Sequence, residues 1–244
     1  MPNGDLQNTV DEFVQDFRNT LEENNIRMQN VFNFDQTAFY DMPPNYSVIQ
    51  RGTRQNRILI TNNEKKRISV LLAVRGDGRK LKPLIVFKGV SNARVSQEVR
   101  NYDDDISLHT AQAKAWTDED VLKYWCKNVW REATAETRGP KVLLVDSYGL
   151  HKDNEDLFHG RRQDIQVKFI PKHCTGLIQP LDISIIRSFK QRVRQMWLSH
   201  DFENEEVTRE VLSQWVKQAW QDVPTTAITN AFSRLSPPEA MEIE

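Results

Sequence analysis

Apolar residues return every three or four positions from Val10 through Phe13, Val14 and Phe17 to Leu21. That period predicts an amphipathic helix over residues 6–24 with one stripe packed on a core. The rhythm then changes to alternation. In Val31-Phe32-Asn33-Phe34-Asp35 the two phenylalanines fall on one face of a strand, and Asn33 and Asp35 on the other. Met42-Pro43-Pro44-Asn45 breaks the chain. Ile68 to Val74 and Leu81 to Phe87 are apolar runs joined through Asp77-Gly78, a hairpin signal. Pro83 puts the second strand at an edge, or its first part outside the ladder. Residues 88–115 read as loop. Thr117, with Asp120 three residues on, is expected to cap a helix that buries Val121, Leu122, Trp125 and Val129.

The unalternating run Val142 to Val145 predicts a central parallel strand, buried on both faces and ending at Asp146. A short helix is expected at 154–159, and a strand from Val167 to Ile170 that Pro171 stops. Pro180-Leu181-Asp182 leads into an amphipathic helix through Ile185, Ile186, Phe189, Val193, Met196 and Trp197. Its other side carries Arg187, Lys190, Arg192 and Arg194. A last helix, Val207 to Trp220, has Val211, Leu212, Trp215 and Ala219 on one side, and Ser236 to Glu244 reads as a frayed tail. The order is therefore strand, hairpin, helix, strand, helix, strand, helix, an α/β arrangement.

Composition narrows the classes without choosing one. With 244 residues, 39% hydrophobic and 27% charged, the chain has the make-up of a globular protein with a sizeable core. No apolar run approaches the roughly 20 residues of a membrane-spanning helix. The N-terminus lacks the layout of a signal peptide. Cys126 and Cys174 form neither a disulfide framework nor a metal pattern and fit a reducing compartment. A net charge of −1 hides an asymmetry: Arg51, Arg54, Arg57, Lys65, Lys66, Arg67, Arg75, Arg79, Lys80 and Lys82 stand against Glu64 and Asp77 alone. Local basic surface is what a polyanion meets, although solvated charge is the commoner use of such a cluster.

Three aspartates carry the candidate chemistry. Asp35 sits on the first strand, Asp146 at the end of the fourth and Asp182 at the start of the last core helix. A ribonuclease H-like domain uses that order to bring three carboxylates together, where they can hold two cations about 3.5–4 Å apart. Two of the acids also have a plainer use, Asp146 in its own turn and Asp182 as a helix cap. Asp103-Asp104-Asp105 reads as a solvated turn, and Tyr148 as a residue that packs or stacks on a base.

Several segments resemble one family. Asn33-Phe34-Asp35-Gln36-Thr37 is similar to the Asn-x-Asp-Glu-Thr signature of DDE-type transposases of the pogo branch of the mariner superfamily, related to tigger, jerky and centromere protein B. Asp41-Met42-Pro43 with Asn45 to Val48, Asn63 to Leu72, and Asp77 to Pro83 with Phe87-Lys88 look like the strands that follow it. Val145-Asp146-Ser147 with His151, and Leu177 to Asp182 with Phe189-Lys190, resemble the second and third catalytic blocks. Between Asp146 and Asp182 lie 35 residues, Ser147 through Leu181, similar to the short spacing of pogo-like elements. Gln36 and Ser147 depart from the usual Glu and the frequent Asn, and neither is a carried-over ligand.

The resemblance, from about Val10 to Phe232, implies a ribonuclease H-like fold: a mixed sheet flanked by helices, with extra helices at both ends. It divides the chain into an N-terminal helix (1–30), a catalytic domain (31–200), a C-terminal helical extension (201–235) and a tail (236–244). It implies two Mg²⁺ or Mn²⁺ ions on Asp35, Asp146 and Asp182, and cleavage and strand transfer of DNA. Arg187, Lys190, Arg192, Arg194 and His151 are the implied DNA contacts, with transposon ends and target as partners. A homodimer and a nuclear location go with that reading, and no membrane partner does. Helix-turn-helix modules ordinarily precede such a domain, so a catalytic fragment, a truncated copy or a domesticated derivative is expected. The alternative function is a transposase-derived DNA- or chromatin-binding protein without turnover.

Overall fold

The computed structural model describes residues 3–39, 67–160, 164–201 and 204–237. Among these residues six strands form one sheet in the order β4-β3-β2-β1-β5-β6. They are β1 (Val31–Phe39), β2 (Ile68–Arg75), β3 (Leu84–Lys88), β4 (Leu108–Gln112), β5 (Lys141–Asp146) and β6 (Ile165–Ile170). The pairs β1–β2 and β2–β3 are antiparallel, while β1–β5, β5–β6 and β3–β4 are parallel. The sheet is thus mixed. The Pro-rich break, the segment that resembles the family between Asp41 and Lys66, and the cations Arg51, Arg54, Arg57, Lys65 and Lys66 lie outside the described residues.

Both faces of the sheet are covered, which is why its strands read as apolar runs. On one face Val31, Val70, Leu72, Val142 and Leu144 meet Val10, Phe17 and Leu21 of α1 (Asn3–Glu23). Phe189 and Val193 of α8 (Ile186–Leu198) join the same cluster. So do Val216 of α9 (Arg209–Gln221) and Phe232 of α10 (Thr225–Phe232). On the other face Phe32, Phe34, Leu143 and Val145 pack on Val121, Leu122 and Trp125 of α3 (Glu119–Trp125). A widened π turn, Cys126–Trp130, continues α3 into α4 (Arg131–Ala135) and brings Trp130 edge-on to Phe32 at 5.0 Å. Each such side chain withdrawn from water stabilises the fold by about 1.5–3 kcal/mol.

Several expectations change. The span read as loop holds α2 (Arg94–Arg100) and β4, so Asp146 ends the fifth strand, not the fourth. The cap of α3 is Asp118, whose carboxylate accepts the Val121 N–H at 3.0 Å, and not Thr117. The short helix expected at 154–159 is α6 (Glu155–His159), and an unforeseen turn of helix, α5 (Gly149–Asp153), precedes it. α9 buries Leu212, Val216, Ala219 and Trp220, a stripe one position round from the expected one, and α10 follows it unforeseen. Pro83 lies just outside the ladder, since β3 is interior and begins at Leu84.

The β2–β3 turn locks the sheet to the C-terminal helices. Gly78 has φ +91°, and a Cβ there would stand 2.3 Å from Thr225 Cγ2, so both backbone and packing require glycine. Lys80 Nζ donates to the carbonyls of Trp220 (2.9 Å), Gln221 (2.7 Å) and Val223 (2.7 Å), a cation on the C-terminus of α9. Trp220 Nε1 returns a bond to the Leu81 carbonyl at 2.9 Å.

Candidate active site

β1 and β5 run parallel, and their shared ladder ends at the pair Asn33–Leu144. Two residues further along each strand stand Asp35 and Asp146. The third acid arrives from the opposite layer. After β6 the chain forms the single turn α7 (Thr175–Ile178) and, beyond Gln179-Pro180, a π turn, Leu181–Ile185, that opens α8 and carries Asp182. Asn33 and Asp35 share the face that this turn covers, so the polar face expected of β1 points into protein rather than into water.

Asp35 is only 9% exposed. Its Oδ1 accepts the Gln36 N–H at 2.7 Å. Burial, then the charge of Asp182 and that of Asp146, push its carboxyl well above the usual carboxylate range, against the pull of the Gln36 N–H. Asp182 itself is exposed. The plainer role of helix cap does not fall to it: the turn's N-cap position is Pro180, and the Leu181 N–H is taken by Asn33 Oδ1 at 2.9 Å.

Asp146 is held from behind. Its Oδ1 meets His151 Nδ1 at 2.5 Å. His151 is 4% exposed and lies edge-on to Phe34, Tyr148 and Phe158 at 5.4, 5.8 and 6.3 Å. His151 was expected to contact DNA; in this structure its ring is enclosed, and its visible contact is with Asp146, whose carboxylate it orients. Ser147, where the family often has Asn, gives its hydroxyl to the Ile170 carbonyl and ties the loop to β6. Gln36 points to the other face of the sheet, 3.5 Å from Ser69 Oγ. Tyr148, two residues after Asp146, remains 50% exposed, and Leu177 and Ile183 near Asp182 in sequence are exposed as well.

The four basic residues of α8 do not form one face. At 3.6 residues per turn, Arg187, Lys190 and Arg194 fall within an arc of about 60°, and Arg192 lies roughly 140° or more away. Arg187 is exposed, whereas Lys190 is half-buried with Nζ 5.8 Å from the Phe39 ring centre. Burial lowers the Lys190 pKa, while the attraction of Asp35 and Asp182 opposes that shift. Arg192 donates to the Ser188 carbonyl at 3.2 Å and faces Lys80, whose pKa it helps burial to lower.

The described part of the basic segment is likewise internal in use. Arg75 pairs with Asp77 through Nε at 2.8 Å, and Lys82 with Glu132 at 3.4 Å. Arg75, Arg79, Lys80 and Lys82 line a polar cleft of about 260 Å³ beside Phe32, at the end of the sheet away from the acids. Asp103 and Asp104 are structural too: Asp104 accepts the Ser107 N–H at 2.8 Å and Lys217 Nζ at 2.7 Å. Asp103, His109 and Ser213 form a hydrogen-bonded series of 2.9 and 2.6 Å, but His109 and Ser213 are sealed from solvent.

The donor set of three carboxylates, attended by the single ammonium of Lys190, suits a hard divalent cation that takes oxygen ligands. Among the described residues no three His, Cys, Asp or Glu side chains close tightly enough to ligate one ion outright. Asn33 is the residue that sequence reading overlooked. Its signals were its place two residues before Asp35, on the same face, and its position at the head of the Asn-x-Asp segment.

Residues 65–232 match a family model described as DDE superfamily endonuclease, a segment that holds Asp146 and Asp182 and begins after Asp35. The human pogo transposable element with ZNF domain is 26% identical over 144 residues, 59% of this chain and 10% of that protein. The mouse pogo transposable element with KRAB domain is 22% identical over 218 residues, 83% and 34% of the two chains. Human Tigger transposable element-derived protein 7 is 24% identical over 268 residues, covering 93% and 46%. The chain thus spans between a tenth and about half of the length of these relatives. Among solved structures, the catalytic domain of Mos1 mariner transposase superposes with a TM-score of 0.54 at 9% identity, covering 96% of this chain and 90% of that one, a likeness of fold.

Proposed function

The chain belongs to the DDE superfamily of endonucleases and has a ribonuclease H-like fold, and from that premise we propose that it is the catalytic domain of a pogo-like transposase. In this reading it cuts DNA and transfers the freed 3′ end, with Asp35, Asp146 and Asp182 holding two Mg²⁺ or Mn²⁺ ions. The observation that carries the reading is the Asp35 carboxyl, buried where β1 and β5 part and pushed up by the charges of Asp182 and Asp146. Folding spends stability to gather such charges, which is the mark of a functional site.

When bound, the cations supply positive charge that polarises a phosphodiester and lowers the pKa of water. The chain's own residues prepare that site. Asp35 and Asp182 offer oxygens from opposite layers, and His151 fixes the Asp146 carboxylate. Lys190 offsets part of the negative charge, and Arg187 and Arg194 on the same arc of α8 meet phosphates of the bound strand. DNA is the partner this reading requires, and a homodimer acting in the nucleus is its cellular setting.

A second reading has support in the relatives' names, which describe transposable elements joined to ZNF and KRAB domains and a transposable element-derived protein. It holds that the domain binds DNA without turnover. Nicking of supercoiled plasmid by the purified chain in Mg²⁺ or Mn²⁺ separates the two. We expect nicking by the parent and none by Asp182→Asn, which removes a charge but no cap and should melt within a few degrees of the parent. Nicking by Asp182→Asn at the parental rate would place the third ligand elsewhere. A folded parent that binds DNA and never nicks it supports the second reading.

A further inference from the structure

Asn33 is fully buried, and its side-chain amide is bonded three ways. Nδ2 donates to the Leu144 carbonyl of β5 at 3.1 Å and to the Phe34 carbonyl at 3.4 Å, while Oδ1 accepts the Leu181 N–H at 2.9 Å. Each partner stands just ahead of a carboxylate: Phe34 before Asp35, Leu144 two residues before Asp146, and Leu181 before Asp182. The β1–β5 ladder runs out at this residue. Beyond it no strand pairing relates Asp35 to Asp146. The turn that carries Asp182 has no side-chain cap of its own, so the bond to Leu181 is what fastens it to β1.

We propose that Asn33 is a positioning residue: a single amide that sets the three acid-bearing backbones relative to one another, so that the carboxylates take divalent cations as a set. The inference rests on the metal-binding reading above. An amide supplies the two donors and one acceptor that these partners need, and neither Asp nor Leu can do so at the same volume. Outer partners of this kind act on metal affinity even though they never touch the ion.

The experiment measures Mn²⁺ binding without DNA, by electron paramagnetic resonance of the free ion, for the parent, Asn33→Leu, Asn33→Ser, Asp146→Asn and Asp182→Asn. Circular dichroism confirms the fold in the cold, and affinity for nonspecific duplex DNA is measured alongside. Asn33→Leu removes all three bonds, and Asn33→Ser keeps a smaller donor and acceptor. We expect Mn²⁺ affinity to fall by about 10–100-fold in Asn33→Leu and by less in Asn33→Ser, with DNA affinity close to parental. A merely structural Asn33 would lower the melting temperature and leave Mn²⁺ affinity of the folded protein unchanged. That result, obtained while Asp182→Asn loses Mn²⁺, overturns the proposal. Should both Asn33 variants fail to fold even in the cold, the amide is a folding residue and the proposal is overturned as well. If Asp146→Asn and Asp182→Asn bind Mn²⁺ as the parent does, the metal-binding reading itself falls, and this inference with it.

Discussion

Asp35 is a buried carboxylate beside two other acids, and its titration turns that environment into a measurable stability. Its pKa is raised by folding, so the folded state holds the proton more tightly than the unfolded chain. The contribution is therefore present below the unfolded carboxylate pKa of about 3.9 and is lost as pH rises through the raised folded value. Asp35→Asn keeps an acceptor for the Gln36 N–H and carries no charge. It should melt above the parent at pH 7, by about 2–4 °C for each kcal/mol of relieved repulsion, and the gap should close towards pH 4. In millimolar Mg²⁺ the parent should recover and the variant should not, since only the parent gains binding free energy. A melting difference that stays the same across pH would mean that the Asp35 charge costs the fold nothing.

At the scale of elements, α8 divides its cations between two tasks. Neutralising Arg187 and Arg194 together should lower the salt slope of DNA binding by about two units, roughly one for each phosphate that no longer meets a cation. Arg192→Ala should leave the slope unchanged, because Arg192 is bonded to Ser188 and faces Lys80. Lys80→Met tests the other end of the sheet. Three carbonyls of the α9 terminus lose their donor, and stability should fall by about 1–3 kcal/mol in chemical denaturation, with nicking unaffected while the protein is folded. These elements differ in how well the sequence announced them. β5 was legible because a strand buried on both faces reads as an apolar run, and β1 because its phenylalanines alternate with polar residues. β4 was not, because Leu108-His109-Thr110-Ala111-Gln112 offers little apolar pattern. It buries His109 by giving the ring Asp103 and Ser213, a pairing no local window contains. For the same reason the three acids could be named from motifs, whereas the bonds that Asn33 makes to the backbones near them, to partners 111 and 148 residues away, could not.

Across the whole molecule, the helices at both ends belong to the same apolar cluster as the strands that carry the acids. Leu212, Val216, Trp220, Ile228 and Phe232 pack with α1 and with Val31, and Arg209 reaches Glu98 at 3.1 Å. Ending the chain at His200 would open that core to water. The truncated protein should fail to give a cooperative melt and should bind a hydrophobic dye, whereas removal of residues 238–244 should leave the parental transition. A soluble, cooperatively melting 1–200 fragment would show that the C-terminal helices are dispensable.

The meeting of Asn33 with Leu144 and Leu181 spans 111 and 148 residues of chain. Hairpin β2–β3 and helix α1 can form from neighbours, but this junction needs two long loops closed at once, which places it among the last events of folding. A ribosome must therefore release most of the polypeptide before the acids can stand together. A chain still being made lacks the Leu181 N–H that Asn33 holds, so its three acids meet only after Asp182 has emerged.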